Sequence, residues 1–230
     1  MTRPLRTRRA VLPGGAEVVH SPGRKVTTDT LLLGLWADPP EGAAVCELGC
    51  GSAASSAVAA RRSPGRFWLG VDLDPSQLRL ARRNLAGAGE VRFGLLCCNV
   101  FGVPASLAPG VFDLVIMNPP YRVDGRGRSS PDDSRQRARA AGDLVLPAFA
   151  RAAAHLLRPG GRSLCVSDAR ALPRLMMALR AHGLSPGKVQ PVGERGSPAS
   201  LVLTEARAGG CDLVLLPQEA AGELVSLLLE

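Results

Sequence analysis

The sequence predicts an α/β fold, doubly wound, on a mostly parallel sheet of seven strands. Three observations carry that prediction. From residue 43 onward, short apolar β-prone runs alternate with amphipathic helical stretches, the pattern of successive β-α-β units. The first run closes in a glycine turn, Glu47-Leu48-Gly49-Cys50-Gly51, with a helical stretch behind it. The fourth, Leu114 to Met117, is continuously apolar, as an interior parallel strand is, and Asn118-Pro119-Pro120 ends it because prolines cannot donate to a ladder. Ligands of such sheets lie at the carboxyl ends of the strands, so the turns after the first four strands should surround one crevice.

The elements follow in order. Residues 1–9 read as a basic arm carrying Arg3, Arg6, Arg8 and Arg9, and 10–20 as a β-hairpin around Pro13-Gly14-Gly15. Thr28 or Asp29 can N-cap a helix that runs to Trp36. Ala43 to Leu48 is the first sheet strand and Ala54 to Arg62 the helix after its turn. Trp68 to Asp72 is the second strand; Asp74 is placed to cap the helix from Pro75 to about Leu85, with proline in the first turn. Val91 to Cys97 is the third strand. After the fourth, a polar loop spans about 122–140, and a helix over 142–157 is closed by Arg158-Pro159-Gly160-Gly161. Ser163 to Ser167 is the fifth strand, with a helix near 170–182. Strands near 188–193 and 199–206 pair as a hairpin, 212–216 can add a short strand, and 217–229 forms a last helix.

Composition narrows the function. The chain has 230 residues and 46% hydrophobic content, enough for one sizeable core with short additions. No apolar run reaches membrane-spanning length and no signal-peptide core follows the basic arm, so a cytoplasmic chain without a membrane partner is expected. The formal charge of +8 favours a polyanionic partner, nucleic acid first. That inference is tempered by composition: lysine occurs only at Lys25 and Lys188 in an arginine- and alanine-rich chain. The six cysteines form no C-x-x-C pair, and only three histidines exist, so no metal site is expected.

The turn after the first strand reads as a cofactor site. Glycines at 49 and 51 let the backbone bend sharply and approach a ligand. Asp72, ending the second strand, can accept two ribose hydroxyls. Its spacing also suits a nicotinamide dinucleotide, and Gly49-x-Gly51-x-x-Ala54 fits that fingerprint. Glu47 argues the other way: a carboxylate ahead of the turn repels a pyrophosphate and suits an amino-acid ammonium, which S-adenosylmethionine carries.

The tip of the fourth strand has its own chemistry. An exocyclic amine that attacks an electrophilic methyl needs acceptors for its two hydrogens. The Asn118 side-chain carbonyl and the Pro119 backbone carbonyl can supply them. Pro119 and Pro120 add no competing N–H and stiffen the corner, and Tyr121, the only tyrosine, is placed to stack a planar substrate.

Asn118-Pro119-Pro120-Tyr121 resembles the (N/D/S)-P-P-(Y/F/W) motif of amino-group methyltransferases that use S-adenosylmethionine. The class I methyltransferase resemblance covers residues 43 to about 205. It implies a Rossmann-like fold in which Glu47, Gly49 and Gly51 hold the methionine end of the cofactor, Asp72 the ribose and Asn99 the adenine amino group. Loop capping is the competing role for Asn99. The family loop has glycine where Ala53 stands, which would weaken cofactor binding or mark a shifted loop. Lys25-Val-Thr-Thr-Asp-Thr-Leu-Leu-Leu-Gly-Leu-Trp36 is similar to the K-x-x-T-D-x-x-L-L-x-x-W stretch of a bacterial family that methylates adenine N6 beside the anticodon of a valine tRNA. This likeness implies that Lys25, Thr28 and Asp29 lid the cofactor, against plain helix capping. It also implies an N-terminal addition over 1–40 and a catalytic domain over 41–230. The arginines of the 122–140 loop would clamp RNA phosphates, or the loop is simply solvated. Guanine N2 and glutamine N5 methylation share the tip, and an NAD oxidoreductase or a non-catalytic RNA-binding scaffold remains a reading from another class.

Overall fold

The computed structural model describes residues 7–12, 17–22, 24–63, 67–88, 92–120 and 133–229. Tyr121 and most of the arginine loop lie outside the described residues.

An N-terminal hairpin, β1 (Arg8–Val11) and β2 (Glu17–His20), forms a small sheet of its own. Arg8 and Arg9 therefore belong to a strand, not to the basic arm, because Arg8 pairs with His20 and Arg9 with Val19. Helix α1 (Thr28–Trp36) follows; Thr27 stands at its N-cap position without a side-chain cap hydrogen bond, and Thr28 and Asp29 lie within its first turn. Then come β3 (Ala44–Leu48), α2 (Ala54–Arg62), β4 (Phe67–Asp72), α3 (Pro75–Ala86), β5 (Phe93–Cys97), α4 (Val103–Ser106) and β6 (Phe112–Met117). The C-terminal half holds α5 (Asp133–Leu156), β7 (Leu157–Asp168), α6 (Leu172–Ala181), β8 (Leu184–Val192), β9 (Leu201–Ala208), β10 (Val214–Leu215) and α7 (Ala221–Leu229).

The main sheet runs β10-β8-β9-β7-β6-β3-β4-β5, the expected seven strands with the short β10 added at one edge. Only β9 is antiparallel to its neighbours. Helix α5 begins at Asp133, well ahead of the expected 142, and absorbs the second half of the supposed loop. Arg158-Pro159-Gly160-Gly161 does not separate helix from strand. It is a bulge inside β7: Leu157 already pairs with Phe112, and regular pairing resumes at Leu114–Arg162.

Two apolar layers sandwich the sheet. One gathers the hairpin's Leu12 and Val18 with α1, α2 and Leu224 of α7, and the other gathers α4, α5 and α6. Leu32, Leu33 and Leu35 of α1 are buried, each contributing about 1.5–3 kcal/mol, so Leu32→Ala should cost about 2–5 kcal/mol. Helix α1 crosses α2 at Gly34, where an added Cβ would lie 2.7 Å from the Ser55 carbonyl oxygen; only glycine allows that approach. At the opposite end of the strands, Asp113 accepts the Ala44 N–H at 2.7 Å and pairs with Arg158 at 2.5 Å. That tie holds β3 in step with β6, and so sets which residues meet at their far ends.

Candidate active site

Strand register builds the site. Leu48 lies opposite Met117 on one side and Val71 on the other, and Asp72 lies opposite Cys97. The next residues along, Gly49 and Asn118, therefore leave the sheet side by side, with Asp72 flanking the turn. Neighbouring strands sit about 4.8 Å apart, so these groups share one crevice at the carboxyl edge.

The glycine turn bends as only left-handed residues can. Gly49 has φ 67° and Gly51 φ 53°. A Cβ at Gly49 would press on the Phe149 ring at 3.2 Å, whereas Gly51 faces open space. Cys50 N–H donates to the Val71 carbonyl at 2.9 Å, and Ala53 N–H to the Cys50 carbonyl at 2.7 Å. Ala53 has φ 55°, the only positive value outside glycine among the described residues. Alanine thus adopts the left-handed conformation that glycine adopts readily, at a cost of about 1–2 kcal/mol. Its methyl is fully buried with Cys50, Leu78, Ala81 and Leu85, so it packs toward α3 and not into the crevice.

Glu47 is buried in β3 and turns toward the start of α2, where it accepts the Ser56 N–H at 3.2 Å and the Ser56 hydroxyl. Burial pushes its carboxyl up to about 7; the Ser56 and Ser55 hydrogen bonds pull it down, and the Asp72 carboxylate adds a smaller upward push. A buried carboxyl poised near neutrality is held in its charged form most easily by a cation, which is what an amino-acid ammonium offers.

Asp72 braces two loops. One oxygen accepts the Gly51 N–H at 2.7 Å and the other the Asp74 N–H at 2.8 Å. Each oxygen keeps a second lone pair, enough for a vicinal diol. Asp74 caps α3 as the sequence suggested, accepting the Ser76 N–H at 2.8 Å; the Ser76 hydroxyl first, and then this backbone N–H, hold its carboxyl below the usual range. Asn99 is exposed, and its side-chain oxygen accepts the Phe101 N–H at 3.1 Å, capping the short turn after β5. The capping role is thus observed. Two residues that the sequence did not single out follow Asp72 and Asn99 in their loops: Leu73, 65% exposed, and Phe101, 50% exposed. Apolar side chains left bare one residue after Asp72 and two residues after Asn99 would form walls for a planar ring. The signal for them was an apolar residue in the loop that follows a strand end, at the first position after β4 and the fourth after β5.

At the tip, Asn118 is half-buried, Pro119 buried and Pro120 exposed. Lys25 and Thr28 are exposed ahead of and at the start of α1, and Asp29 is half-buried. Arg24 pairs with Asp74 at 3.5 Å, which draws this segment toward the loop after β4. Among the described residues no group of three metal-ligating side chains gathers, and no helix is long and apolar enough to cross a membrane.

The residues present fit S-adenosylmethionine: a buried carboxylate that could face its ammonium, a second carboxylate with lone pairs left for a ribose, and bare apolar side chains that could flank its adenine. Comparison with known proteins agrees. Residues 45–124 match the family model described as a methyltransferase domain. Over 192 residues the chain is 31% identical to the tRNA1(Val) (adenine(37)-N6)-methyltransferase of Dickeya chrysanthemi, an alignment covering 81% of this chain and 74% of that protein. TrmN from Thermus thermophilus shares the fold, with a TM-score of 0.60 at 22% identity, covering 81% of this chain and 51% of that one. The T. thermophilus 16S rRNA N2 G1207 methyltransferase (RsmC), solved with AdoMet and guanosine, is similar at a TM-score of 0.58 and 25% identity, covering 88% of this chain and 50% of that one. The chain belongs to the tRNA1(Val) (adenine(37)-N6)-methyltransferase family and is an S-adenosylmethionine-dependent methyltransferase.

Proposed function

We propose that this chain methylates the N6 amine of an adenine in RNA, with a tRNA anticodon loop as its substrate class. The observation that carries the reading is the β3–β6 register, which sets Asn118 beside Gly49. The relative from Dickeya chrysanthemi supports the choice of adenine and tRNA. Such a substrate implies work in the cytoplasm.

In this reading Glu47 receives the ammonium of the methyl donor, and the Gly49 and Gly51 backbone lies against its methionine end. Asp72 takes the ribose hydroxyls. Asn99 receives the adenine amino group on its remaining acceptor capacity, between Leu73 and Phe101. Lys25 and Thr28 close over the donor from the N-terminal segment, so residues 1–40 serve as an addition to the catalytic domain over 41–230. Bound S-adenosylmethionine supplies an electrophilic sulfonium methyl.

The chain's own task is then alignment. The Asn118 side-chain oxygen and the Pro119 carbonyl accept the two amine hydrogens and so aim the nitrogen lone pair. Pro120 keeps the corner stiff, and Tyr121 stacks the extracted base. A single-stranded loop makes that extraction cheap. The amine proton leaves to solvent after transfer. Exposed Arg8, together with the arginines of the 121–132 segment, offers charge to phosphates.

The test is methylation of total tRNA with isotopically labelled cofactor, followed by mass spectrometry of the nucleosides. N6-methyladenosine is expected. Label only in N2-methylguanosine, or only in protein, would overturn the substrate assignment.

A further inference from the structure

Asn84, on α3, is 3% exposed, and its side chain hydrogen-bonds to other elements. Its side-chain oxygen accepts the Val19 N–H at 2.7 Å, and its amide nitrogen donates to the Val19 carbonyl at 2.9 Å. It thereby pairs with β2 much as a neighbouring strand would. The same nitrogen donates to the Ser52 carbonyl at 2.7 Å, in the middle of the glycine turn.

That last contact bears on the cofactor. The Ser52 carbonyl and the Ala53 N–H belong to one peptide plane. Asn84 holds its oxygen and the Cys50 carbonyl holds its N–H. The peptide plane is pinned at both ends, directly ahead of the strained φ of 55° at Ala53. One residue earlier, the Gly51 N–H is fixed by Asp72. Releasing the Ser52 carbonyl would let this plane rotate and Ala53 relax toward a less strained φ, which swings the Gly51 backbone away from the crevice.

We propose that Asn84 is a positioning residue for the cofactor turn, and that through it the docked N-terminal hairpin completes the cofactor site. The proposal rests on the reading that this turn receives the methionine end of S-adenosylmethionine. Gln77 supplies the contrast. Its amide donates to the Ser21 hydroxyl at 3.3 Å, anchoring the hairpin end without touching the turn.

The experiment compares the full chain with Asn84→Ala, Asn84→Asp and Gln77→Ala variants, by calorimetric titration with S-adenosylhomocysteine and by steady-state kinetics. Asn84→Ala should raise both the Kd for that ligand and the KM for S-adenosylmethionine about tenfold or more, with kcat at saturating cofactor kept within about twofold. Asn84→Asp keeps an acceptor for Val19 but loses both donors, and should weaken binding in the same direction. Gln77→Ala should leave Kd within about twofold. Adding Ala53→Gly to Asn84→Ala should recover most of the lost affinity, because glycine holds the positive φ without help. Unchanged Kd in Asn84→Ala, a fall in kcat at constant KM, or an equal loss in Gln77→Ala would each overturn the proposal. If Asn84→Ala cannot be obtained folded, Asn84→Asp decides on the same readouts. A parent chain that does not bind S-adenosylhomocysteine at all would overturn the cofactor reading instead.

Discussion

The Glu47 carboxylate, in β3, accepts both the backbone N–H and the hydroxyl of Ser56, nine positions further on, in the first turn of α2. Ala53, at the N-cap of α2, has no side-chain oxygen to offer. A carboxylate from the neighbouring strand does the capping instead, at the end of the helix where negative charge is favoured.

The pH dependence of stability follows from this placement. Burial pushes the folded carboxyl up to about 7, from an ordinary value of 4.5. Between those values the folded chain holds a proton that the unfolded chain has released, so stability falls as pH rises from about 4.5 to about 7. Glu47→Gln keeps an acceptor for Ser56 and loses the titration. Its stability relative to the parent should rise across this window, by something on the order of 1–3 kcal/mol. Melting curves at pH 5 and pH 8 read it; parallel curves would refute it. Because an ammonium favours the charged carboxyl, cofactor binding near pH 6 should also release a proton in the parent and not in Glu47→Gln. Calorimetry in buffers of different ionisation enthalpy measures that release.

Asp72→Ala removes the acceptor for both the Gly51 and Asp74 N–H groups. Cofactor affinity should fall about tenfold or more, and stability by about 1–3 kcal/mol, since those donors lose their partner. Titration calorimetry and urea denaturation check the two effects, and unchanged affinity would remove Asp72 from the ribose site.

Asn118→Ala tests the tip. Turnover should drop at least about tenfold, or 1.4 kcal/mol of barrier, while S-adenosylhomocysteine binding stays within about twofold. Turnover held within about threefold would show that the amine is aligned by something else.

Ala53 gives a contrast of two substitutions. In Ala53→Gly the relief of left-handed strain is offset by unfolded-state entropy and a lost buried methyl, leaving a net change under about 1 kcal/mol. Ala53→Val keeps the strain and adds bulk beside Leu78, Ala81 and Leu85, costing about 2 kcal/mol or more. Thermal unfolding of both should separate them clearly.

Much of this site was legible because strand ends carry their own punctuation. Leu114 to Met117 followed by Asn118-Pro119-Pro120 announces a strand and its stop, and the glycines at 49 and 51 announce a turn. Asp74 before Pro75 announces a cap, and the structure uses it so. Residues 133–140, rich in arginine, read as polar loop because no apolar stripe marks them, yet α5 already starts at Asp133. The bulge in β7 was hidden because Pro159-Gly160-Gly161 is also what a loop looks like. Asn84 was invisible for another reason. Its partners Val19 and Ser52 lie 65 and 32 residues away, and no local pattern tells a buried clasp from an ordinary helical asparagine.

The Gly51 N–H, the Ser52 carbonyl and the Ala53 N–H are already held by Asp72, Asn84 and Cys50. Such a receptor surrenders little disorder when its guest arrives, so the favourable contacts are not spent on freezing the host. Preorganisation of this kind would make the proposed cofactor seat rigid and selective. It should release heat on docking with only a small entropic penalty, and it should discriminate sharply against donors whose amino-acid end is shorter or longer by a single carbon.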